Sequence, residues 1–258
     1  MATISPISTD NDVATILRWL KREYERKGEG FWCNRNLIEH AHGDGKLLVL
    51  REGNKAVAFQ LGRLLSPGIL VVRPGLRGRG YGQMLVEFCI REAQTNDVCF
   101  LHIQCTPETS VPFWEKMGFT LLPTQASPGS SGWHGYTYPH AYMILPKVFD
   151  FPAACSEVSV LIQFSAQCAP DAQRVLEHRP RAYRRSDGKI ALENRVIGFH
   201  PAAPIDLVVK ITVEGDTIYF DRAKYAERYG VQNRQPVFCL DVITPEPATN
   251  LWATCHSG

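Results

Sequence analysis

The stretch RPGLRGRGYG, residues 73–82, is the most informative part of the sequence. The short apolar run Ile69–Val72 precedes it and predicts a buried strand. Apolar side chains at helical spacing follow it and predict the inner face of a helix: Tyr81, Met84, Leu85, Phe88 and Cys89. This order of strand, glycine loop and helix predicts an anion site, because the first amides of a helix lack internal partners and glycines let a phosphate approach the backbone.

Spacing separates the nucleotide-binding interpretations of this loop. The ATPase phosphate loop needs Gly-x-x-x-x-Gly-Lys-Ser/Thr, and here the spacing from Gly75 to Gly80 is followed by Tyr81 instead of lysine. The dinucleotide fingerprint Gly-x-Gly-x-x-Gly starts at Gly78 but meets Gln83 where its third glycine belongs. The sequence therefore excludes the first interpretation and disfavours the second.

Hydrophobic periodicity predicts further elements on both sides of the loop. Helices are expected over residues 12–26, 36–41 and 110–117, the last of them ended by Gly118. Strands are expected over residues 46–51, 56–65, 98–105, 119–122 and 141–145. Residues 124–140 are rich in Ser, Gly, Pro and Thr and predict a long loop.

A second landmark, FWEKMGF at residues 113–119, predicts a short helix that ends in Gly-Phe. With both landmarks the sequence resembles the GNAT superfamily of N-acetyltransferases, whose acetyl-CoA loop has the pattern Gln/Arg-x-x-Gly-x-Gly/Ala. Arg77, Gly80 and Gly82 fill that pattern. The resemblance covers residues 3 to about 145 and implies an α/β (α+β) fold, a GNAT-like mixed central sheet flanked by helices.

The resemblance also implies where acetyl-CoA binds. In the family the fourth and fifth strands splay apart, the pantetheine arm lies between them against the backbone of strand four, and the loop amides hold the pyrophosphate. The residues that this assigns to the co-substrate are Leu70, Val71 and Val72 for pantetheine, and Arg77, Gly78, Arg79, Gly80, Tyr81 and Gly82 for pyrophosphate.

The sequence departs from the family at the catalytic positions. The usual proton donor is a tyrosine four residues before the Gly of Gly-Phe, and here that residue is Trp114, which has no acidic hydroxyl. In the family a carboxylate on strand four commonly acts as the base, and the run Ile69–Val72 holds none. We therefore expect water to relay the proton away from the acceptor amine. The catalytic candidates are His102 and Tyr138, with His134 and Tyr136 in the same long loop. Each also suits a structural role, as a hydrogen-bonded strand histidine or as a loop anchor.

Composition restricts the function classes. Lys and Arg number 28 against 26 for Asp and Glu, a net charge of +2, so no global field draws the chain to nucleic acid or anionic lipid. Eight cysteines without a Cys-x-x-Cys pair disfavour a metal site, and Cys105 suits a core thiol better than an acyl-carrying nucleophile. No apolar run reaches the roughly 20 residues of a membrane span, and no secretion signal opens the sequence, so we predict a cytoplasmic protein with no membrane partner.

A change of pattern at residues 146–152 predicts two domains, residues 1–148 for acetyl-CoA and residues 151–258 for a smaller α+β accessory domain. Strands are expected there over residues 158–164, 207–213, 217–220 and 236–243, and a helix over residues 221–229. Basic side chains cluster between residues 174 and 195, which suits either a solvated face or a local patch for RNA, a phosphate or an acidic partner. This half resembles no family that we recognise.

The sequence as a whole predicts an acetyl-CoA-dependent N-acetyltransferase in which a primary amine attacks the thioester directly. The acceptor, a small molecule, a protein or an aminoacyl-tRNA, and the oligomeric state stay open. One alternative is a CoA-binding sensor or interaction module without turnover, which Trp114 and the missing carboxylate favour. Another is an acetyltransferase of charged tRNA, which rests on the arginine cluster alone.

Overall fold

A computed structural model of the chain describes residues 2–65, 68–122, 138–149, 156–166, 176–199 and 207–245. These residues fall into two compact units, the first made of residues 2–122 and 138–145 and the second beginning at residue 146. Among the described helices, none combines the length and apolarity that a membrane crossing requires. The predicted loop 124–140 lies mostly outside the described residues, and His134 and Tyr136 lie there with it.

The first unit alternates helices with short strands. Its strands are β1 (Ala2–Ser5), β2 (Leu48–Glu52), β3 (Lys55–Leu61), β4 (Ile69–Val72), β5 (Phe100–Gln104), β6 (Thr120–Leu121) and β7 (His140–Ile144). Its α-helices are α1 (Asp10–Lys27), α2 (Arg35–Gly43), α3 (Tyr81–Thr95) and α4 (Val111–Lys116), and 3-10 turns at Phe31–Asn34 and Glu108–Ser110 precede α2 and α4.

Local sequence explains where the first helix begins and ends. Thr9 and Asp12 form a capping box, in which each side chain accepts a hydrogen bond from the backbone N–H of the other residue. Gly28 ends the helix in the left-handed conformation, at φ 74°. The buried face of α1 packs with Val49, Phe59 and other apolar residues of one sheet face.

The strands of the first unit form two sheets with the orders β1-β2-β3-β4 and β5-β7-β6. Every regular pair in them is antiparallel, including β3 with β4 and β5 with β7. Helix α3 covers the sheet face opposite α1, because Leu85 shares a cluster with Leu50 and Ala58. In the described residues no strand ladder joins β4 to β5, so these strands are separated as the resemblance implies.

The connection from β3 to β4 differs from the prediction, because the strand expected over residues 56–65 ends at Leu61. The chain leaves the ladder there because Gly62, Arg63 and Leu64 all take positive φ angles of 80°, 49° and 59°. The Leu64 side chain is then buried in the core, and its carbonyl accepts a hydrogen bond of 3.2 Å from the N–H of His102.

The second unit contains nine strands among its described residues. They are β8 (Ser156–Glu157), β9 (Val160–Ala166), β10 (Leu176–His178), β11 (Ala182–Arg184), β12 (Ile190–Gly198), β13 (Leu207–Val213), β14 (Asp216–Arg222), β15 (Gln232–Arg234) and β16 (Val237–Ile243). They form two sheets, β10-β9-β13-β14 and β15-β16-β12-β11-β8. Alternate residues of both sheets, such as Ile162, Ile211, Leu192 and Leu240, share one hydrophobic core.

The helix expected over residues 221–229 is wrong. Strand β14 continues to Arg222, and two 3-10 turns, Ala223–Tyr225 and Glu227–Tyr229, follow it. Ala223, Ala226 and Tyr229 are all buried in the core, and their spacing of three residues suits a 3-10 turn better than an α-helix. Tertiary pairing and this burial therefore override the local helical pattern.

Ion pairs within the second unit neutralise much of the basic cluster. Arg179 contacts Glu177, Arg181 contacts Glu157 and Glu193, Arg184 contacts Glu214, and Arg185 contacts Asp187. Arg195 is buried and binds Asp241 through two nitrogens, at 2.7 and 2.5 Å. A polyanion would therefore compete with carboxylates of the chain itself for these guanidinium groups.

Candidate functional site

A cleft of about 1200 Å³ lies within the first unit, beside the separated strands β4 and β5. All of β4 lines it, together with Ile103 and Gln104 of β5. Residues of the loop 77–83, of α4 and of the segment around α2 complete the wall, and Tyr138 lines it just before β7. The three features that the sequence connects with CoA, namely β4, the glycine loop and the Gly-Phe helix, therefore border one cavity.

Strand β4 offers a free edge to this cleft. It pairs with β3 on one side, from Ala58–Val72 to Leu61–Ile69. On the other side, within the described residues, the chain approaches β5 through a single parallel bridge between Leu65 and His102. Ile69 and Val71 are buried, whereas Leu70 and Val72 are half-buried. An extended ligand would find hydrogen-bonding backbone along the free edge.

The glycine loop adopts the conformation that an anion site needs. Gly75, Gly78 and Gly80 have φ angles of 70°, 79° and 82°, the left-handed region that glycine adopts without strain. Gly80 is the residue before α3, and no side chain there accepts a hydrogen bond from the first amides of the helix. The amino terminus of α3 therefore presents donors and the positive end of the helix dipole to the cleft.

Gly82 serves a different purpose, because it lies inside the first turn of α3 without a positive φ. A Cβ at this position would lie 3.2 Å from the ring of Phe113 and 3.5 Å from Val72. The glycine therefore lets α3, α4 and β4 approach one another beside the cleft.

The two arginines of the loop differ in their surroundings. Arg77 donates from Nη2 to Glu23 at 3.1 Å and from Nε to the carbonyl of Val72 at 3.2 Å. Arg79 is exposed and does not line the cleft, whereas Tyr81 is buried with Leu50 and Leu85 and also lines it. Arg77 is thus held by the protein itself, an interaction that the sequence pattern did not reveal.

Three residues that line the cleft each carry a buried polar atom that has no hydrogen-bond partner within the described part of the chain. The atoms are Oε1 of Gln60, Oγ1 of Thr106 and Oγ of Ser110. A buried polar atom left unpaired costs about 1–3 kcal/mol, so these atoms favour a ligand or water that supplies the missing bond. Sequence reasoning missed all three as ligand contacts, because Gln60 lies in β3, Thr106 follows β5 and Ser110 precedes α4, and none carries a local signal of its partner.

Trp114 occupies the position where the resemblance implies a tyrosine. Its indole is 7% exposed and makes edge contacts with Phe113 and Phe119, at 5.0 and 5.3 Å between ring centroids. It lines the cleft, yet an indole N–H is no acid.

His102 and Tyr138, the two catalytic candidates, lie in different surroundings. Tyr138 is 44% exposed and lines the cleft. His102 does not line it: its ring stacks on His140 at 4.8 Å, and Nε2 of His102 lies 2.8 Å from Nδ1 of His140. Burial, with a smaller contribution from His140, lowers the pKa of His102 to about 4. The structure thus brings Tyr138, but not His102, to the β4 edge and the glycine loop.

This histidine pair predicts a loss of stability in mild acid. The pKa of His102 falls from 6.5 to about 4 on folding, so between these pH values the unfolded chain binds the extra proton. Stability should therefore fall by about 2–3 kcal/mol as the pH drops through this window. Urea unfolding at several pH values measures the slope. His102→Gln should flatten it and the exposed His40→Gln should not, whereas equal slopes in all three proteins would contradict the assignment.

Cys105 is fully buried. Burial and, to a smaller degree, Glu115 raise the pKa of its thiol to about 11. The thiol is therefore protonated at neutral pH and unsuited to form an acyl-enzyme. Within the described residues no group of His, Cys, Asp and Glu is arranged to hold a metal ion.

Comparison with known proteins gives one family match. The model of the Acetyltransferase (GNAT) family matches residues 12–119. No curated protein sequence matches significantly. Solved structures that match include an N-acetyltransferase from Staphylococcus aureus Mu50, with 18% identity, 55% of this chain and 96% of that chain covered, and a TM-score of 0.38.

Two further structures have similar values. One is N-acetylglutamate synthase from Neisseria gonorrhoeae, complexed with coenzyme A and N-acetyl-glutamate, with 16% identity, 56% of this chain and 35% of that chain covered, and a TM-score of 0.40. The other is a polyamine N-acetyltransferase from Drosophila melanogaster, with 14% identity, 56% and 100% covered, and a TM-score of 0.40.

Proposed function

We propose that the chain, whose residues 12–119 match the model of the GNAT acetyltransferase family, is an acetyl-CoA-dependent N-acetyltransferase acting on a primary amine. The observation that carries the proposal is that the free edge of β4 and the glycine loop at the start of α3 border the same cleft. The cleft offers backbone partners for an extended arm and amide donors for a phosphate at the same site.

Strand β4 and the glycine loop would bind two different parts of CoA, the pantetheine arm and the pyrophosphate. Leu70, Val71 and Val72 would lie along the pantetheine arm, and the amides after Gly80 would face the pyrophosphate. The unpaired atoms of Gln60, Thr106 and Ser110 would regain hydrogen bonds to a polar chain in the cleft. Acetyl-CoA itself supplies the activated thioester, so the protein has to bind, orient and exclude water.

Direct attack by the amine suits the surroundings of the cleft. The buried, protonated Cys105 offers no nucleophile for a covalent intermediate. The amine would lose its proton through water, because β4 carries no carboxylate. The thiolate that leaves needs a proton or a hydrogen bond, and Tyr138 is the catalytic candidate that lines the cleft.

A pair of variants tests the source of this proton. Trp114→Phe should keep most of the turnover, because phenylalanine preserves an aromatic core contact and the indole donates no proton. Tyr138→Phe should lower kcat about tenfold, the lower range of general acid effects, and change the KM for acetyl-CoA little. Steady-state kinetics of both variants measure this. A large loss of kcat in Trp114→Phe, or an unchanged kcat in Tyr138→Phe, would reverse the assignment.

A second candidate function is a CoA-binding sensor that lacks turnover, which Trp114 and the missing carboxylate of β4 favour. Calorimetric titration with CoA, followed by a thiol-release assay with acetyl-CoA and a panel of amines, separates the two. Binding with amine-dependent thiol release supports the enzyme, and binding without release supports the sensor. Absence of CoA binding would refute both.

The same panel, extended to small amines, protein amines and aminoacyl-tRNA, identifies the class of acceptor. For charged tRNA, the arginines at 179, 181, 184, 185 and 195 already pair with carboxylates of the chain, so weak binding with a shallow salt dependence is expected. A steep salt dependence of tRNA binding would favour the nucleic-acid acceptor instead.

We further propose a cytoplasmic location, which imaging of the tagged protein in cells would test.

A further inference from the structure

Glu23 is a buried carboxylate in the wall of the cleft, in the last third of α1. Its side chain is only 7% exposed, although it belongs to a helix whose neighbouring positions are largely solvated. Burial of a carboxylate requires compensating partners. Glu23 has two cationic ones: Arg77 at 3.1 Å and Lys27 at 3.5 Å.

The contact with Arg77 joins distant parts of the chain, since the two residues are 54 positions apart. Arg77 donates at the same time to the carbonyl of Val72, the last residue of β4. One guanidinium therefore connects α1, the carboxyl end of β4 and the loop that leads to α3. All three elements border the cleft.

This arrangement limits what Arg77 itself does for a ligand. Its Nη2 and Nε are already engaged, and its charge is balanced by Glu23. The loop amides after Gly80 remain as donors, and their direction depends on where the loop is held relative to β4. A guanidinium fixed on both sides orients a segment more strictly than a charge that is free to move.

We propose that Glu23 is a positioning residue for the co-substrate: it holds Arg77 and thereby fixes the pyrophosphate loop against β4. The inference rests on the proposed CoA-dependent function and adds a determinant outside the family's loop pattern. In this role Glu23 does not contact a ligand phosphate, because a carboxylate and a phosphate repel each other. Its negative charge is neutralised by Arg77 and Lys27 instead.

The test is Glu23→Gln, with Glu25→Gln as the matched control. Glu25 lies on the same helix and pairs with Lys21 at 3.8 Å. The side chains of both residues are more than half exposed, and neither residue lines the cleft. Calorimetry measures the affinity of each protein for CoA and for pantetheine, which lacks the pyrophosphate. We expect Glu23→Gln to weaken CoA about tenfold and pantetheine little, and Glu25→Gln to change neither.

The outcomes separate this inference from the function on which it rests. A wild-type protein that fails to bind CoA overturns the proposed function and this inference with it. A wild type that binds CoA overturns only the inference if Glu23→Gln binds CoA equally well or more tightly. An equal loss for CoA and pantetheine also overturns it, because a general distortion of the cleft would then be the cause.

A second variant keeps the test decisive if Glu23→Gln unfolds. Arg77→Gln removes the other side of the same contact and should show the same selective loss for CoA. Where both single variants fold, the double variant should bind CoA no worse than either of them, since both act through one interaction. Additive losses would show that the two residues act separately and would overturn the proposal.

Discussion

Gly80→Val is expected to weaken CoA binding by well over tenfold, which corresponds to about 1.4 kcal/mol or more. Gly80 has a φ angle of 82° directly before α3, and a β-branched residue strains that backbone. A Cβ there meets nothing within 4 Å apart from its chain neighbours, so the new side chain would extend into open space beside the cleft that Gly80 lines. Calorimetric titration with CoA measures the loss.

Gly75→Val is the matched control for this variant. Gly75 also has a positive φ, 70°, and open space around its Cβ, but it does not line the cleft. Backbone strain should therefore be similar in both variants, and thermal unfolding should show comparable losses of stability. A folded Gly80→Val protein with the CoA affinity of the wild type would refute the assigned phosphate site.

Gly230→Ala is expected to unfold the second unit while the first still binds CoA. Gly230 has a φ angle of 96°, and a Cβ at this position would lie far inside van der Waals contact with the carbonyl oxygen of Val242 in β16. Strain and clash with a backbone atom together should cost about 4 kcal/mol or more, a large part of the stability of a domain. Hydrogen exchange of the strands between residues 207 and 243 measures the unfolding, and titration with CoA tests the first unit.

Gly215→Ala provides the comparison, because Gly215 has a similar φ of 94° in a turn where a Cβ meets nothing within 4 Å. It should cost only about 1–2 kcal/mol. If the second unit contributes to the choice of acceptor, Gly230→Ala should lose amine-dependent thiol release and keep CoA binding. Loss of CoA binding in Gly230→Ala would show that the first unit does not fold independently of the second.

Local sequence rules predicted much of the first unit. The helix expected over residues 12–26 forms as α1, Asp10–Lys27, and Gly118, with a φ of 88°, ends the turn after α4 as expected, because helix periodicity and capping depend on residues close in sequence. The glycine loop was predicted for the same reason, since a positive φ and free helix amides are properties of a short segment. The resemblance then added the separation of β4 from β5, which no local rule predicts.

Other features depended on contacts between distant residues. Residues 221–229 carry a helical pattern, yet pairing with β13 and burial of Ala223 and Ala226 produce an extended strand and two 3-10 turns. From the sequence alone His102 suited a structural role in a strand and was also a candidate for catalysis. Its partner, His140, lies 38 residues away, and only the fold brings the two rings together.

The sequence by itself indicated the family that residues 12–119 match and the position of the glycine loop before α3, because the motifs at residues 73–82 and 113–119 are each encoded within a short segment. Only the tertiary structure decided which side chains accompany that loop. Glu23 reaches Arg77 across 54 residues, and Gln60, Thr106 and Ser110 meet at one cleft from separate elements. The physical reason is that burial and ion pairing are set by spatial neighbours, which packing of the whole chain selects.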